Sequence, residues 1–170
     1  MIQAGRFFFK GLIMTDSSLE KAFGYAVRLL TKKDYSAYEL SQKLRSRCRD
    51  EDEVNAVIER LQELRYQSDA RCADMLVRHY VGNGYGRLRI FYEAKMKGLS
   101  RELITSCLDE VGADWNGLAR DVLLRRYEHP ESLEYKERLK AVAFLVRRGF
   151  SQGEAVAGLK QAVSESLRNR

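Results

Sequence analysis

The sequence has few residues that interrupt helices or that build cross-linked or metal-bound folds. It contains one proline and 12 glycines among 170 residues, so few positions break a helix. The three cysteines, Cys48, Cys72 and Cys107, are odd in number and show no CxxC spacing, which argues against a disulfide framework or a zinc site. They are expected to be reduced thiols, which predicts a cytoplasmic protein.

The sequence also lacks the usual motifs of a catalytic site. His79 and His129 lie far apart, and no serine occupies a GxSxG turn. The glycine-rich segment Gly82–Gly86 lacks the preceding strand and the Gly-Lys-Ser/Thr ending of a phosphate-binding loop. It is predicted to be a turn between helices, with anion binding beside Arg87 and Arg89 as the alternative. We therefore predict that the chain is not an enzyme and holds no metal or other cofactor.

No apolar run is long enough to cross a membrane. Phe7–Phe9 and Leu12–Met14 are short and are separated by Lys10, far below the roughly 20 residues that a bilayer requires. Met14 resembles a second start, so residues 1–13 are expected to be an upstream extension. Residues 1–17 together are predicted to be a poorly ordered N-terminal segment, and no membrane partner is expected.

Charge is high in total and uneven along the chain. Charged residues make up 32% of the sequence, and the net charge is +6. Residues 117–170 are the most cationic part, since their 11 basic and 7 acidic side chains give a net charge of +4. A basic excess suits nucleic acid or an acidic protein surface, although many surface cations are only solvated.

Apolar residues recur at three- and four-residue spacing through most of the chain. This spacing predicts nine helices, and no segment shows the strict alternation of a strand. The eighth helix, for example, is predicted to bury Leu139, Val142, Ala143 and Val146. The fold class is therefore predicted to be all-α.

The predicted helices also follow an internal repeat of about 50 residues. Asp50, Ser100 and Ser151 each precede an apolar helix, and all three are favourable N-cap residues because their side-chain oxygens accept an exposed backbone N–H. The fourth position after each cap is apolar in all three copies: Val54, Ile104 and Ala155.

This register predicts three units of three helices, at residues 18–67, 68–115 and 116–170. Units of this size bury little apolar surface alone. They are expected to stack in tandem into an elongated, curved body. The alternative is a compact nine-helix bundle in which the repeat is coincidental.

Basic side chains are the main candidates for contacting a partner. If several share one face, they would form an electrostatic stripe for phosphate or carboxylate groups. The alternative for each of them is a solvated position on a helix surface. The candidates lie on the fourth and fifth helices and in the third unit: Arg71, Arg78, Arg87, Arg89, Lys95, Lys97, Arg125, Arg126, Arg147 and Arg148.

Three segments resemble the RecX family of RecA regulators. Tyr35–Leu44 is similar to a first-unit signature of Tyr-Ser, then Glu-Leu, then Lys-Leu. Arg65–Ala73 resembles the segment often written Gly-Tyr-Leu-Asp-Asp-Ala-Arg-Phe-Ala. Gly84–Leu99 resembles the stretch Gly-x-Gly-Pro-x-Arg-Ile followed by Glu-Leu and Lys-Gly-Ile, with Arg87 at the position where proline is usual.

The resemblance implies a non-enzymatic, monomeric regulator built from tandem three-helix units. Members of the family are thought to lie in the helical groove of the RecA–DNA filament. The RecA filament is therefore the expected partner, with single- or double-stranded DNA as a further one. Binding there would lower RecA's strand exchange, ATP hydrolysis and co-protease activity in DNA repair and the SOS response.

Two other functions stay open from the residues alone. A stand-alone DNA-binding module would use three-helix units like helix-turn-helix domains and would bind DNA in a salt-sensitive way. An unrecognised enzyme would need a deep pocket with converging titratable groups.

Overall fold

Every regular element that the structure describes is helical. The computed structural model describes residues 17–168, and the predicted N-terminal segment lies outside this range apart from Ser17, the first residue of α1. Nine α-helices and a short 3-10 turn, Pro130–Ser132, occur within the described range, which confirms the all-α prediction. The helices are α1 (Ser17–Leu30), α2 (Ala37–Leu44), α3 (Glu51–Glu63), α4 (Asp69–Gly82), α5 (Arg87–Met96), α6 (Arg101–Val111), α7 (Trp115–Leu124), α8 (Tyr135–Arg147) and α9 (Gln152–Arg168).

The three predicted N-caps are confirmed. The Asp50 carboxylate accepts the Glu53 N–H at 2.9 Å, and the Ser100 hydroxyl accepts the Leu103 N–H at 3.2 Å. Ser151 caps α9 in the same way, because its hydroxyl accepts the Glu154 N–H at 3.2 Å. Each bond satisfies a donor that the first turn of a helix leaves without an intrahelical partner, so the helix starts were readable from the sequence.

The chain divides into two compact units, with the boundary between Ser68 and Asp69. In the first unit, α1, α2 and α3 share an apolar core that includes Ala26, Leu40 and Leu61, all fully buried. Gln67 is buried at the edge of this core. Its amide donates to the Tyr35 carbonyl at 3.2 Å, which ties the segment after α3 to the α1–α2 connection and satisfies a buried polar group.

The second compact unit contains α4 to α9 and two groups of buried apolar residues. Val77 and Ile90 belong to the core formed by α4, α5 and α6. Leu123 and Phe150 belong to the core associated with α7, α8 and α9. Trp115, at the start of α7, packs against both groups, so the two cores are continuous at this side chain.

The structure corrects the predicted buried face of α8. Leu139 and Val146 are 52% and 40% exposed, although the sequence pattern predicts them to be buried. The residues that α8 buries instead are Ala141 and Leu145. The helix carries two apolar faces, and spacing alone does not tell which one the rest of the fold covers.

The cysteines are expected to react slowly in the folded protein. Cys72 and Cys107 are buried, and Cys48 is half-buried. Burial raises the pKa of the Cys48 thiol, and Glu53 and Asp50 raise it further. Burial likewise raises the pKa of Cys107, with a smaller contribution from Glu110. A higher pKa lowers the thiolate fraction near neutral pH, and the thiolate is the reactive form.

A thiol-reagent assay tests this expectation. All three thiols should react more slowly in native protein than in urea-unfolded protein near neutral pH. The rate for half-buried Cys48 should rise as the pH is raised through its elevated pKa. A native rate equal to the unfolded rate at neutral pH would contradict the burial and the pKa directions.

Candidate partner-binding surface

The ten predicted cations all lie in the second compact unit, and the structure gives several of them internal partners. Arg78 on α4 pairs with Asp74 at 2.7 Å, one turn earlier on the same helix. Arg89 on α5 pairs with Glu93 at 2.7 Å, one turn later on its helix. Half-exposed pairs of this kind stabilise a helix by only a few tenths of a kcal/mol, ~0.3–0.5, so both guanidinium groups stay available to a partner.

Arg148 has a structural role that the sequence did not indicate. It follows the last residue of α8, and its Nε donates to the Gly84 carbonyl at 2.9 Å. One of its Nη atoms donates to the Asn83 carbonyl at 2.6 Å. Its guanidinium carbon also lies 4.4 Å from the centre of the Tyr85 ring. Arg148 therefore fastens the α4–α5 loop to the end of α8.

The end of this loop and the start of α5 contact the segment after α8 through backbone hydrogen bonds. The Gly86 N–H donates to the Arg148 carbonyl at 2.9 Å, and the Leu88 N–H donates to the Gly149 carbonyl at 3.0 Å. A Cβ atom at Gly86 would lie 2.2 Å from the Gly149 oxygen, so only glycine permits this approach. The prediction of a turn at Gly82–Gly86 is confirmed, since α4 ends at Gly82 and Gly84 has a φ of 71°. The contact of this turn with the segment after α8 was not predicted.

Arg87 joins the start of α5 to the start of α9. Its guanidinium pairs with the Glu154 carboxylate at 2.6 Å, and Glu154 is almost completely buried. The second Glu154 oxygen accepts the Ser151 N–H at 2.7 Å, which completes a capping box at α9. The guanidinium also lies 5.1 Å from the Trp115 ring. In this chain, therefore, the residue at the family's usual proline position makes a tertiary ion pair.

The remaining cations differ in their surroundings. The Arg125 Nε donates to the Asp121 carbonyl at 3.2 Å at the end of α7. The guanidinium of Arg126 lies 4.4 Å from the Phe144 ring, a cation–π contact on an exposed side chain. Arg71 is exposed on α4, and Lys97 is half-buried after the end of α5.

Lys95 and Arg147 are exposed, and neither forms an ion pair within residues 17–168. On α8, two more exposed cations form no ion pair within the described residues and were missed by the sequence analysis: Lys136 and Lys140. Their four-residue spacing was the available signal.

Two features are absent from the part of the chain that the structure describes. No group of three or more His, Cys, Asp or Glu side chains within residues 17–168 is arranged to hold a metal ion. No helix within that range has both the length and the apolar character that crossing a membrane requires.

The described fold defines an all-helical protein. Residues 22–61 match the family description "RecX, first three-helix domain", and residues 68–108 match "RecX, second three-helix domain". The chain belongs to the RecX family.

Individual relatives agree over most of the chain. It is 34% identical to the "Regulatory protein RecX" of Legionella pneumophila (strain Corby), over 88% of this chain and 99% of that protein. It is 37% identical to the "Regulatory protein RecX" of Xanthomonas oryzae pv. oryzae (strain MAFF 311018), over 74% and 78% of the two chains. The crystal structure of RecX from Lactobacillus salivarius has the same fold, with a TM-score of 0.70, 21% identity, and coverage of 85% of this chain and 96% of that one.

Proposed function

We propose that this chain binds the RecA–DNA filament and modulates it, mostly by inhibiting RecA's recombinase, ATPase and co-protease activities in DNA repair and the SOS response. The observation that carries the proposal is the 34% identity over 149 residues to a protein named a regulatory RecX. We further propose a cytoplasmic monomer that contains three tandem three-helix units, of which α7 to α9 form the third.

The charge distribution supports a filament as the partner. The second compact unit presents exposed cations on α5, at Lys95, and on α8, at Arg147. A filament of protein and DNA offers carboxylate and phosphate groups, both of which favour such cations. Arg87 pairs with Glu154, and Arg148 donates a hydrogen bond to the Gly84 carbonyl. We therefore infer that these two residues stabilise the fold and contribute less to partner contact.

The direct test is RecA's single-stranded-DNA-dependent ATP hydrolysis, with RecA from the same organism and this protein titrated from far below to equal RecA concentration. Strong inhibition at substoichiometric amounts is expected, because a groove-bound regulator acts on an assembled filament. An unrelated ATPase that depends on the same DNA serves as the control. Equal inhibition of both enzymes would indicate DNA sequestration by a stand-alone DNA-binding module, and no inhibition at equimolar protein would refute the proposal.

A further inference from the structure

The outer face of α8 is an apolar stripe that nothing else in the described second compact unit fully covers. Tyr135, Leu139 and Val146 are 76%, 52% and 40% exposed. Together with half-buried Val142 they are separated by four, three and four residues, which places all four along one line of the helix. The adjacent side of the helix, at Ala141 and Leu145, is buried in the core. Exposed apolar rows of this kind mark interaction surfaces more often than isolated exposed residues do.

A row of cations runs beside the stripe. Lys136, Lys140 and Arg147 are exposed and lie on one flank of the apolar line, at spacings of four and seven residues. None of them forms an ion pair within the described residues. The acidic residue of the helix, Glu137, lies on the far side and accepts the Glu134 N–H at 3.0 Å in a capping box. The exposed surface of α8 therefore carries an apolar line beside the buried side and a row of cations farther from it.

These features favour one kind of occupant over two others. A second copy docked on this face would bring lysines and an arginine against their own kind, which is unfavourable. Nucleic acid would use the cations and the ring of Tyr135, but it would leave Leu139 and Val146 without a matching apolar surface, because aliphatic side chains neither stack on bases as aromatic rings do nor hydrogen-bond to them. An amphipathic helix with an acidic margin would satisfy both the apolar row and the cationic row.

We propose that the outer face of α8 docks an acidic amphipathic element of the RecA protein within the filament. This inference rests on the proposed function and identifies the surface and the chemistry of the contact. The apolar stripe supplies the buried area, and the row Lys136, Lys140 and Arg147 sets the orientation and speeds the encounter.

The test compares two triple variants in the RecA ATPase assay. The stripe variant carries Tyr135→Gln, Leu139→Gln and Val146→Gln, which remove the exposed apolar side chains. The row variant carries Lys136→Gln, Lys140→Gln and Arg147→Gln, which remove the three positive charges. All six positions are exposed and glutamine is a good helix former, so the fold should persist, which circular dichroism checks. The control for lost charge is Lys21→Gln, Lys32→Gln and Lys160→Gln, which removes three exposed cations that lie outside α8.

The stripe variant should need at least about tenfold more protein for half-inhibition, a loss of about 1.4 kcal/mol in binding. The row variant should weaken inhibition to a similar degree and reduce its dependence on salt, while the control variant should match the wild type. Binding of the stripe variant to single-stranded DNA without RecA should be unchanged.

Several outcomes would overturn the inference. If the wild type inhibits RecA and the stripe variant inhibits equally well, the α8 face is not the docking surface, although the proposed function stands. If the stripe variant loses DNA binding in parallel with inhibition, the face contacts nucleic acid instead. If light scattering shows that the wild type is a dimer and the stripe variant a monomer, the face is an interface between copies. If the wild type does not inhibit RecA, the proposed function and this inference both fail.

Discussion

Replacing Gly86 by alanine is expected to cost about 3 kcal/mol of stability in the second compact unit. The added Cβ would lie 2.2 Å from the Gly149 oxygen and 2.3 Å from the Phe150 nitrogen, and neither is the flexible end of a side chain. The φ of Gly86 is −78°, which alanine adopts freely, so the expected cost comes from the clash alone. Relief of the clash would separate the α4–α5 loop from the end of α8 and break the hydrogen bonds of Gly86 and Leu88.

Urea unfolding with native-state hydrogen exchange measures the effect and its location. Matched controls are Gly82→Ala and Gly153→Ala, because a Cβ at either position meets no heavy atom within 4 Å. Both glycines are helical, so alanine should be neutral or stabilising there, by up to about 1 kcal/mol. A Gly86→Ala protein as stable as these controls would show that the loop does not pack against the segment after α8 as the structure has it.

Replacing Arg148 by methionine is expected to cost about 2 kcal/mol, whereas the same change at the neighbouring Arg147 should stay within about 0.5 kcal/mol. Arg148 donates to the Gly84 and Asn83 carbonyls and lies over the Tyr85 ring, and methionine keeps the bulk but none of the donors. Arg147 is exposed and forms no ion pair within residues 17–168.

The two substitutions should also differ in function. Arg147→Met should leave thermal unfolding unchanged and weaken RecA inhibition, because this cation belongs to the row beside the α8 stripe. Arg148→Met should lower the unfolding temperature first, and its effect on inhibition should shrink when the assay is run at lower temperature. Equal stability of the two variants would remove the structural distinction between these adjacent arginines.

The local features of this protein were determined by short-range sequence signals. Asp50, Ser100 and Ser151 cap their helices as predicted, because a cap requires one side-chain oxygen and a backbone N–H three residues later. The all-α class follows from the same kind of information, since helix periodicity is repeated many times along the chain. The family resemblance likewise rested on contiguous motifs, and the comparisons confirm it.

Only the tertiary structure decided which faces and charges are free. α8 has apolar residues on two sides, and α9 and the core cover Ala141 and Leu145 rather than Leu139 and Val146. Arg87 and Arg148 look like their exposed neighbours in the sequence, yet their partners lie 67 residues away, at Glu154, and 64 residues away, at Gly84. Residue spacing identifies the apolar faces and charged side chains of a helix. Which of them the fold buries or pairs depends on long-range packing, and that packing is set by the whole chain.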